Sequence, residues 1–425
     1  MKLPELLCPA GDKQKAFTAF RYGADAVYCG VPLFSLRTKE NYITEDDIVE
    51  IVDFAHKNGK KVYVTLNNFP HQSIIPEVKK YLKFIAKVKP DGIILADFGV
   101  LNLANELAPK VPKHISVQTS TVNSPGVELW QKLGVERIIL AREVTLSEVS
   151  EIKKVCPKME LEYFVHGSMC MSYSGRCLLS NHLTGRDANL GVCAQPCRWN
   201  YQVFEQSKIH DVERSALLEE EKRKGEFLQA EEDFHGTHIM SSRDMCMIDR
   251  LKGISEAGIE SLKVEGRNKT PYYVAIVARA YRQALDDLGN GKEFNPELLE
   301  EINTTANRGF CHGFLDGRPG KDGIQKEENR STSAKEFCGI VRGWKNGRLE
   351  ITPKNKIVEG TEIEFVMTKI ADDFSMTAKD LRFNDEKVEA FHGGNQNGVA
   401  SIACEVAVAE GTFIRQRTAN VSHKA

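Results

Sequence analysis

The chain has 425 residues, 27% of them charged and 41% hydrophobic, with a formal net charge of -2 at pH 7. That length suits two or three domains, one of them a large barrel. The charge balance excludes a strongly basic nucleic-acid binder at the level of bulk composition, so any RNA contact has to come from a local patch.

No run of about 18 apolar residues occurs, so no membrane span is expected. The opening M-K-L-P-E-L-L-C-P-A-G-D lacks the apolar stretch of a signal peptide. Both point to a cytoplasmic protein, in which the eleven cysteines are expected as thiols or metal ligands rather than disulfides.

In chain order, Glu5 to Pro9 reads as a first strand. Gly11-Asp12 then turns the chain, and Asp12 can cap a helix reaching about Gly23, with Ala16, Phe17, Ala19 and Phe20 inward. Further strands are predicted at 26–30, 61–67 (after a helix begun near Thr44-Glu45-Asp46-Asp47), 92–97, 114–119, 137–142, 161–167 and 261–266. Eight apolar strands alternating with amphipathic helices predict a (β/α)8 TIM-like barrel, with a doubly wound open sheet as the alternative. The missing G-x-G-x-x-G after the first strand favours the barrel.

The rhythm breaks after the seventh strand. A cysteine-bearing insertion at 168–237 is predicted, and its Glu-, Lys- and Arg-rich part, 211–233, reads as a solvated helix or excursion. A helix is expected over 245–258, and another over 270–288 with Pro271 in its first turn. The barrel domain is assigned to 1–290, a helical and linker segment to 291–334, and a small all-β barrel to 335–425, where the periodicity changes to two.

Cys170, Cys177, Cys193 and Cys197 lie in one irregular, glycine-containing segment, with six, fifteen and three residues between successive members. Four thiolates so gathered suit an iron–sulfur cluster or structural zinc. Zinc sites usually show two close C-x2–4-C pairs, and only Cys193–Cys197 is that close; the bland alternative is buried thiols without metal. In a barrel the reacting groups stand at strand C-terminal ends. Here those ends offer Asn67, Asn68, Asp97, Gln118, Arg142, His166, Glu265 and Arg267. His166 and Glu265 are candidate acid–base groups, although a lone histidine at a strand end is more often a core residue.

The elements Glu162, Phe164, Gly167, Ser168, Cys170, Gly175, Cys177 and Ser180 resemble the signature of the collagenase-like peptidase family of unassigned mechanism, U32. L-L-C-P-A-G-D, G-A-D-A-V-Y-C-G, S-S-R-D and K-V-E-G-R are similar to the same family, so the resemblance spans essentially the whole chain. R-C-L-L-S followed by G-x-C-x-x-x-C-R-W is similar to the branch that hydroxylates tRNA. That resemblance implies oxygen-independent formation of 5-hydroxyuridine at the wobble position, with prephenate as hydroxyl source and a 4Fe–4S cluster. The implied ligands are Cys170, Cys177, Cys193 and either Cys197 or Cys246. A dicarboxylate such as prephenate needs arginine forks, for which Arg142, Arg243 and Arg267 are the candidates, with Asn67 and Gln118 as further binding groups. The implied partners are tRNA, prephenate and, as a candidate, an electron donor.

Two competing readings remain open. A peptidase would use Ser168, or a cysteine with His166 or His182, but H-E-x-x-H and G-x-S-x-G are absent. A non-catalytic RNA binder would use Arg176, Arg186, Arg198 and Trp199.

Overall fold

A computed structural model of the chain describes residues 3–35, 42–169, 242–317, 333–394 and 398–418. Between Met169 and Ser242 it also describes 179–184, 186, 193–196, 199, 201–205, 215–220, 224–225, 227–233 and 236–237. Cys170, Cys177, Cys197, Arg176 and Arg198 lie outside the described residues, and so does the side chain of His182.

Seven strands, β1 (Glu5–Pro9), β2 (Ala26–Cys29), β3 (Lys61–Leu66), β4 (Gly92–Leu95), β5 (Lys113–Ile115), β6 (Arg137–Ile139) and β7 (Glu160–Ser168), pair in parallel in sequence order. The insertion then supplies β8 (Tyr201–Glu205), β9 (Ser215–Glu220), β10 (Phe227–Asp233) and β11 (Gly236–Thr237), a four-stranded antiparallel sheet. The chain returns through β12 (Asp244–Cys246) to β13 (Ser261–Val264), which pairs with β1 on one side and β7 on the other. That double pairing closes an eight-stranded parallel barrel, as the alternation predicts.

Helices α1 (Lys13–Arg21), α2 (Glu45–Lys57), α3 (Ile75–Val88), α4 (Phe98–Leu107), α5 (Ser124–Lys132) and α6 (Leu146–Val155) fill the first six crossovers. α7 (Leu179–Thr184) lies in the insertion, α8 (Leu251–Glu256) precedes β13, and α9 (Pro271–Gly289) and α10 (Glu297–Asn303) follow it. Asp12 caps α1 by accepting from the Lys15 N–H, and Thr44 and Asp47 form a reciprocal capping box on α2.

Two expectations are corrected. The described part of the Glu-rich stretch is not helical: β9 and β10 pair as a hairpin with Leu218 opposite Leu228. Its turn holds Gly225 at φ 85, and the Gly225 N–H donates to Glu219 at 2.6 Å, so strand pairing and a glycine turn outweigh the charge pattern. The helix expected over 245–258 is confined to α8, because Asp244–Cys246 pairs antiparallel to β7 with Met245 opposite Gly167. β14 (Phe310–Cys311) then adds to the outer edge of β12.

From Lys335 the chain forms an antiparallel sheet of eight strands that curls over its own core of Val341, Leu349, Phe365, Leu381 and Ile414. Its docking onto the barrel is partly ionic. Arg279 on α9 bonds Glu301 on α10 and, at 2.7 Å, Asp373; Arg415 meets Glu301 at 2.9 Å and Glu364 at 2.8 Å. Tyr272 stacks on Phe337 with ring centroids 5.1 Å apart. Among the described residues no helix is long and apolar enough to cross a membrane.

Candidate active site at the barrel mouth

The barrel interior is polar along its length, although its strands are buried. At the strand starts, Arg137 reaches Glu5 at 2.9 Å, Glu160 at 2.7 Å and Glu162 at 3.2 Å. Glu162, fully buried, also receives Lys263 at 2.7 Å. Paired in this way, the carboxylates offset the cost of leaving water. Burial lowers the Lys263 pKa despite the opposing pull of Glu162.

Above Lys263 the strand ends carry the predicted groups. The Lys263 ammonium lies 4.1 Å from the centre of the Tyr28 ring, and the Arg267 guanidinium lies 5.8 Å from the same ring. Arg267 bonds Ser35 Oγ and, at 3.2 Å, Thr65 Oγ1. Arg142 sits 3.9 Å over the Phe164 ring and 3.4 Å from Glu265. Asn67 donates to Gln118 Oε1 at 2.9 Å, and Ser116 Oγ donates to the same oxygen at 3.0 Å. The Gln118 carboxamide is thereby fixed, its Nε2 buried with no acceptor.

Arg142, Arg267, Asn67, Gln118 and Glu265 are therefore gathered at one end of the barrel. Lys263 and Phe164, quoted above only within family motifs, join them, as do Tyr28, Thr65 and Ser116, which were not singled out from the sequence. The signal for Lys263 was present: Lys263, Glu265 and Arg267 alternate with period two, which places them on one face.

Three predicted residues stand elsewhere. Asp97 caps α4 by accepting from Val100 N–H. His166 does not face the mouth. A one-residue irregularity puts Lys263 opposite Phe164 but Val264 opposite His166, which turns the imidazole towards Tyr273, Tyr281 and Phe310. Its Nδ1 lies 3.4 Å from Tyr281 Oη, and burial pushes its pKa down to about 3. Enclosed by three aromatic rings, the imidazole packs as a core residue, the commoner reading of a lone histidine at a strand end. Arg243 borders Gly309, with its Cδ and Nε 3.7 Å from the Cβ position of that glycine, where β14 joins β12.

For a cluster, the described donors divide clearly. Cys193 is half-buried, and its sulfur accepts the Gln195 N–H at 3.3 Å, with Gln195 at φ 57. Ser180 holds this turn in place, accepting from Ala194 N–H at 2.9 Å and donating to Arg186 O at 2.7 Å. Such an amide bond to sulfur suits a thiolate ligand. Cys246 is the opposite case. Burial raises its pKa to about 12, and its sulfur lies 3.9 Å from Tyr281 Oη within the apolar core. Among the described residues no three His, Cys, Asp or Glu side chains gather as a metal site.

Residues 11–325 match the family model of peptidase family U32. The chain belongs to that family. This U32 chain is 39% identical over 389 residues to tRNA hydroxylation protein P of Escherichia coli (strain K12), covering 85% of this chain and 86% of that protein. It is 37% identical over 369 residues to tRNA hydroxylation protein P1 of Bacillus subtilis (strain 168), covering 86% and 83%. A 23S rRNA 5-hydroxycytidine synthase of Escherichia coli (strain K12) is 31% identical over 329 residues, covering 75% of this chain and 46% of that protein. The residues that carry the U32 resemblance have identifiable tasks. Glu162 anchors Lys263, Phe164 underlies Arg142, and Ser180 ties the Cys193 turn. Gly167, at φ 105, lets the backbone pass where a Cβ would lie 2.7 Å from Glu265 O.

Proposed function

We propose that this chain is an RNA-modifying enzyme that hydroxylates tRNA, forming 5-hydroxyuridine at the wobble position without molecular oxygen. The observation that carries the reading is the similarity, over most of the chain, to two proteins named for tRNA hydroxylation. The mouth chemistry supports it. Arg142, Arg267 and Lys263 suit a small dicarboxylate such as prephenate, taken as the hydroxyl source, and arginine binds a carboxylate through two parallel N–H bonds. Gln118 Nε2, held by bonds to its own carbonyl oxygen, is a ready donor to a substrate oxygen. Glu265, held beside Arg142, is the carboxylate placed to take a proton at the mouth.

A 4Fe–4S cluster would be held by Cys170, Cys177, Cys193 and Cys197, and when bound it supplies the one-electron chemistry that side chains lack. Enclosing the co-substrate among Tyr28, Phe164 and the strand-end amides would exclude water from the reacting centre.

The deciding experiment is mass-spectrometric nucleoside analysis of total tRNA from a deletion strain carrying the wild-type gene, Arg267→Met or Cys177→Ala. Hydroxyuridine restored by the wild type alone is expected. Full restoration by Cys177→Ala would reject the cluster, and efficient cleavage of gelatin by the pure protein would put the peptidase reading first.

A further inference from the structure

The mouth groups placed so far mostly give hydrogen bonds. Arg142, Arg267, Lys263 and Gln118 Nε2 are donors, and the carboxylate among them, Glu265, already faces Arg142 at 3.4 Å. Asn68, the second residue beyond β3, differs. It is 7% exposed, and its Oδ1 is buried with no hydrogen-bond partner.

The orientation of that carboxamide is fixed. Its Nδ2 donates to Leu33 O at 3.0 Å, and turning the group over would set oxygen against oxygen. The orphan is therefore an acceptor. Leu33 belongs to the 3-10 turn Pro32–Phe34 that follows β2, and Ser35, the residue after that turn, accepts from Arg267 Nη1. Ser35 Oγ lies 2.8 Å from Thr65 Oγ1 on β3, to which Arg267 also donates. One short turn thus restrains both the Asn68 acceptor and the Arg267 cation. Towards β5, Asn67 fixes Gln118, whose Nε2 is an unsatisfied donor.

A buried amide oxygen without a donor costs free energy, and an occupant bearing an O–H or N–H group removes that cost. Resting on the reading of the mouth as a small-anion site, we infer that Asn68 is a specificity-determining residue for that anion, its Oδ1 accepting the hydrogen of a hydroxyl group. The ligand class follows from the arrangement: a small carboxylate that carries a hydroxyl, with its charged oxygens on Arg267 and Gln118 Nε2 and its hydroxyl on Asn68. The imide N–H of a nucleobase is the donor that RNA would bring instead. The hydroxyl is favoured because acceptor and guanidinium are tied to the same turn, where one small molecule meets both. Such a site rejects the analogue that lacks the hydroxyl, since the buried acceptor then stays unpaired in the complex.

The test is equilibrium binding to the full chain by calorimetry, with prephenate and with the same molecule bearing hydrogen in place of its hydroxyl. Wild type, Asn68→Ala and Gln118→Leu are each titrated with both, and the ratio of the two affinities is read within each protein, so that any loss of folded material cancels. A preference of roughly tenfold or more for the hydroxylated ligand is expected in the wild type. Gln118→Leu should keep it while binding both ligands more weakly, and Asn68→Ala should abolish it. Equal affinities in the wild type, or a preference that survives Asn68→Ala, overturn the inference. Failure of the wild type to bind either ligand rejects the small-anion reading itself. Binding of uridine 5′-monophosphate that is lost in Asn68→Ala, with no hydroxyl preference, overturns the inference in favour of a base at this acceptor.

Discussion

His166 shows how far one inserted residue can mislead. Alternation along E-Y-F-V-H-G places Glu162, Phe164 and His166 on one face, and the first two do face the interior. The register shift before His166 breaks the phase, and no residue type in the stretch announces it. The consequence is measurable. Burial lowers the folded-state pKa of His166 from 6.5 to about 3. Between those values the unfolded chain binds the extra proton, so stability rises with pH there and is lost as pH falls from 6.5 towards 3. Urea unfolding at pH 7 and pH 5 should show a larger loss for the wild type than for His166→Gln; equal losses would contradict the cage. At the mouth, Gln118→Leu removes one donor and should raise KM for the small anion about tenfold. Arg267→Met, which removes a charged donor, should raise it more, at about 1.5–3 kcal/mol of binding; steady-state kinetics on tRNA with varied co-substrate reads both. Cys246→Ser should keep full iron while Cys197→Ala loses it, since Cys246 packs in the apolar core against Tyr281; iron content of the reconstituted proteins decides.

Elements were legible where local chemistry agrees with the fold. The Thr44–Asp47 capping box, Pro271 at the start of α9 and the glycine-bounded apolar strands each act within a few residues, so their effect can be read without knowing the neighbours. β9, β10 and β12 were missed for the opposite reason: their state is settled by partners far away in sequence, Met245 against Gly167 for one. The same holds for the ionic joint between the barrel and the C-terminal sheet, whose five members lie from residue 279 to residue 415. Glu301 accepts from both Arg279 and Arg415. Glu301→Gln leaves two buried guanidiniums short of a charge and should destabilise the protein by about 3–5 kcal/mol, as removal of one partner from a buried pair does. Denaturant titration checks this, and a loss below about 1 kcal/mol, the range of an exposed pair, would show that water reaches the joint.

On the scale of the molecule, the barrel was readable because eight repeats of one pattern outweigh errors in any one. The candidate site was readable only in part. Strand-end position gave Arg142, Arg267, Asn67 and Gln118 as candidates and period two also carried Lys263, but the turning of His166 away from them depends on how β7 meets β13, which periodicity does not encode.

Barrel closure has one more consequence, in time rather than in space. β13 is the strand that seals the cylinder, and it is made after the whole cysteine segment. Until Val264 has cleared the ribosome, β1 and β7 both present bare edges, and such edges invite wrong partners. The growing chain thus passes through a period in which seven strands are made and the eighth is not, so that the ion pairs of Arg137, Glu162 and Lys263 cannot yet form and the future interior stays open to water and to chaperones.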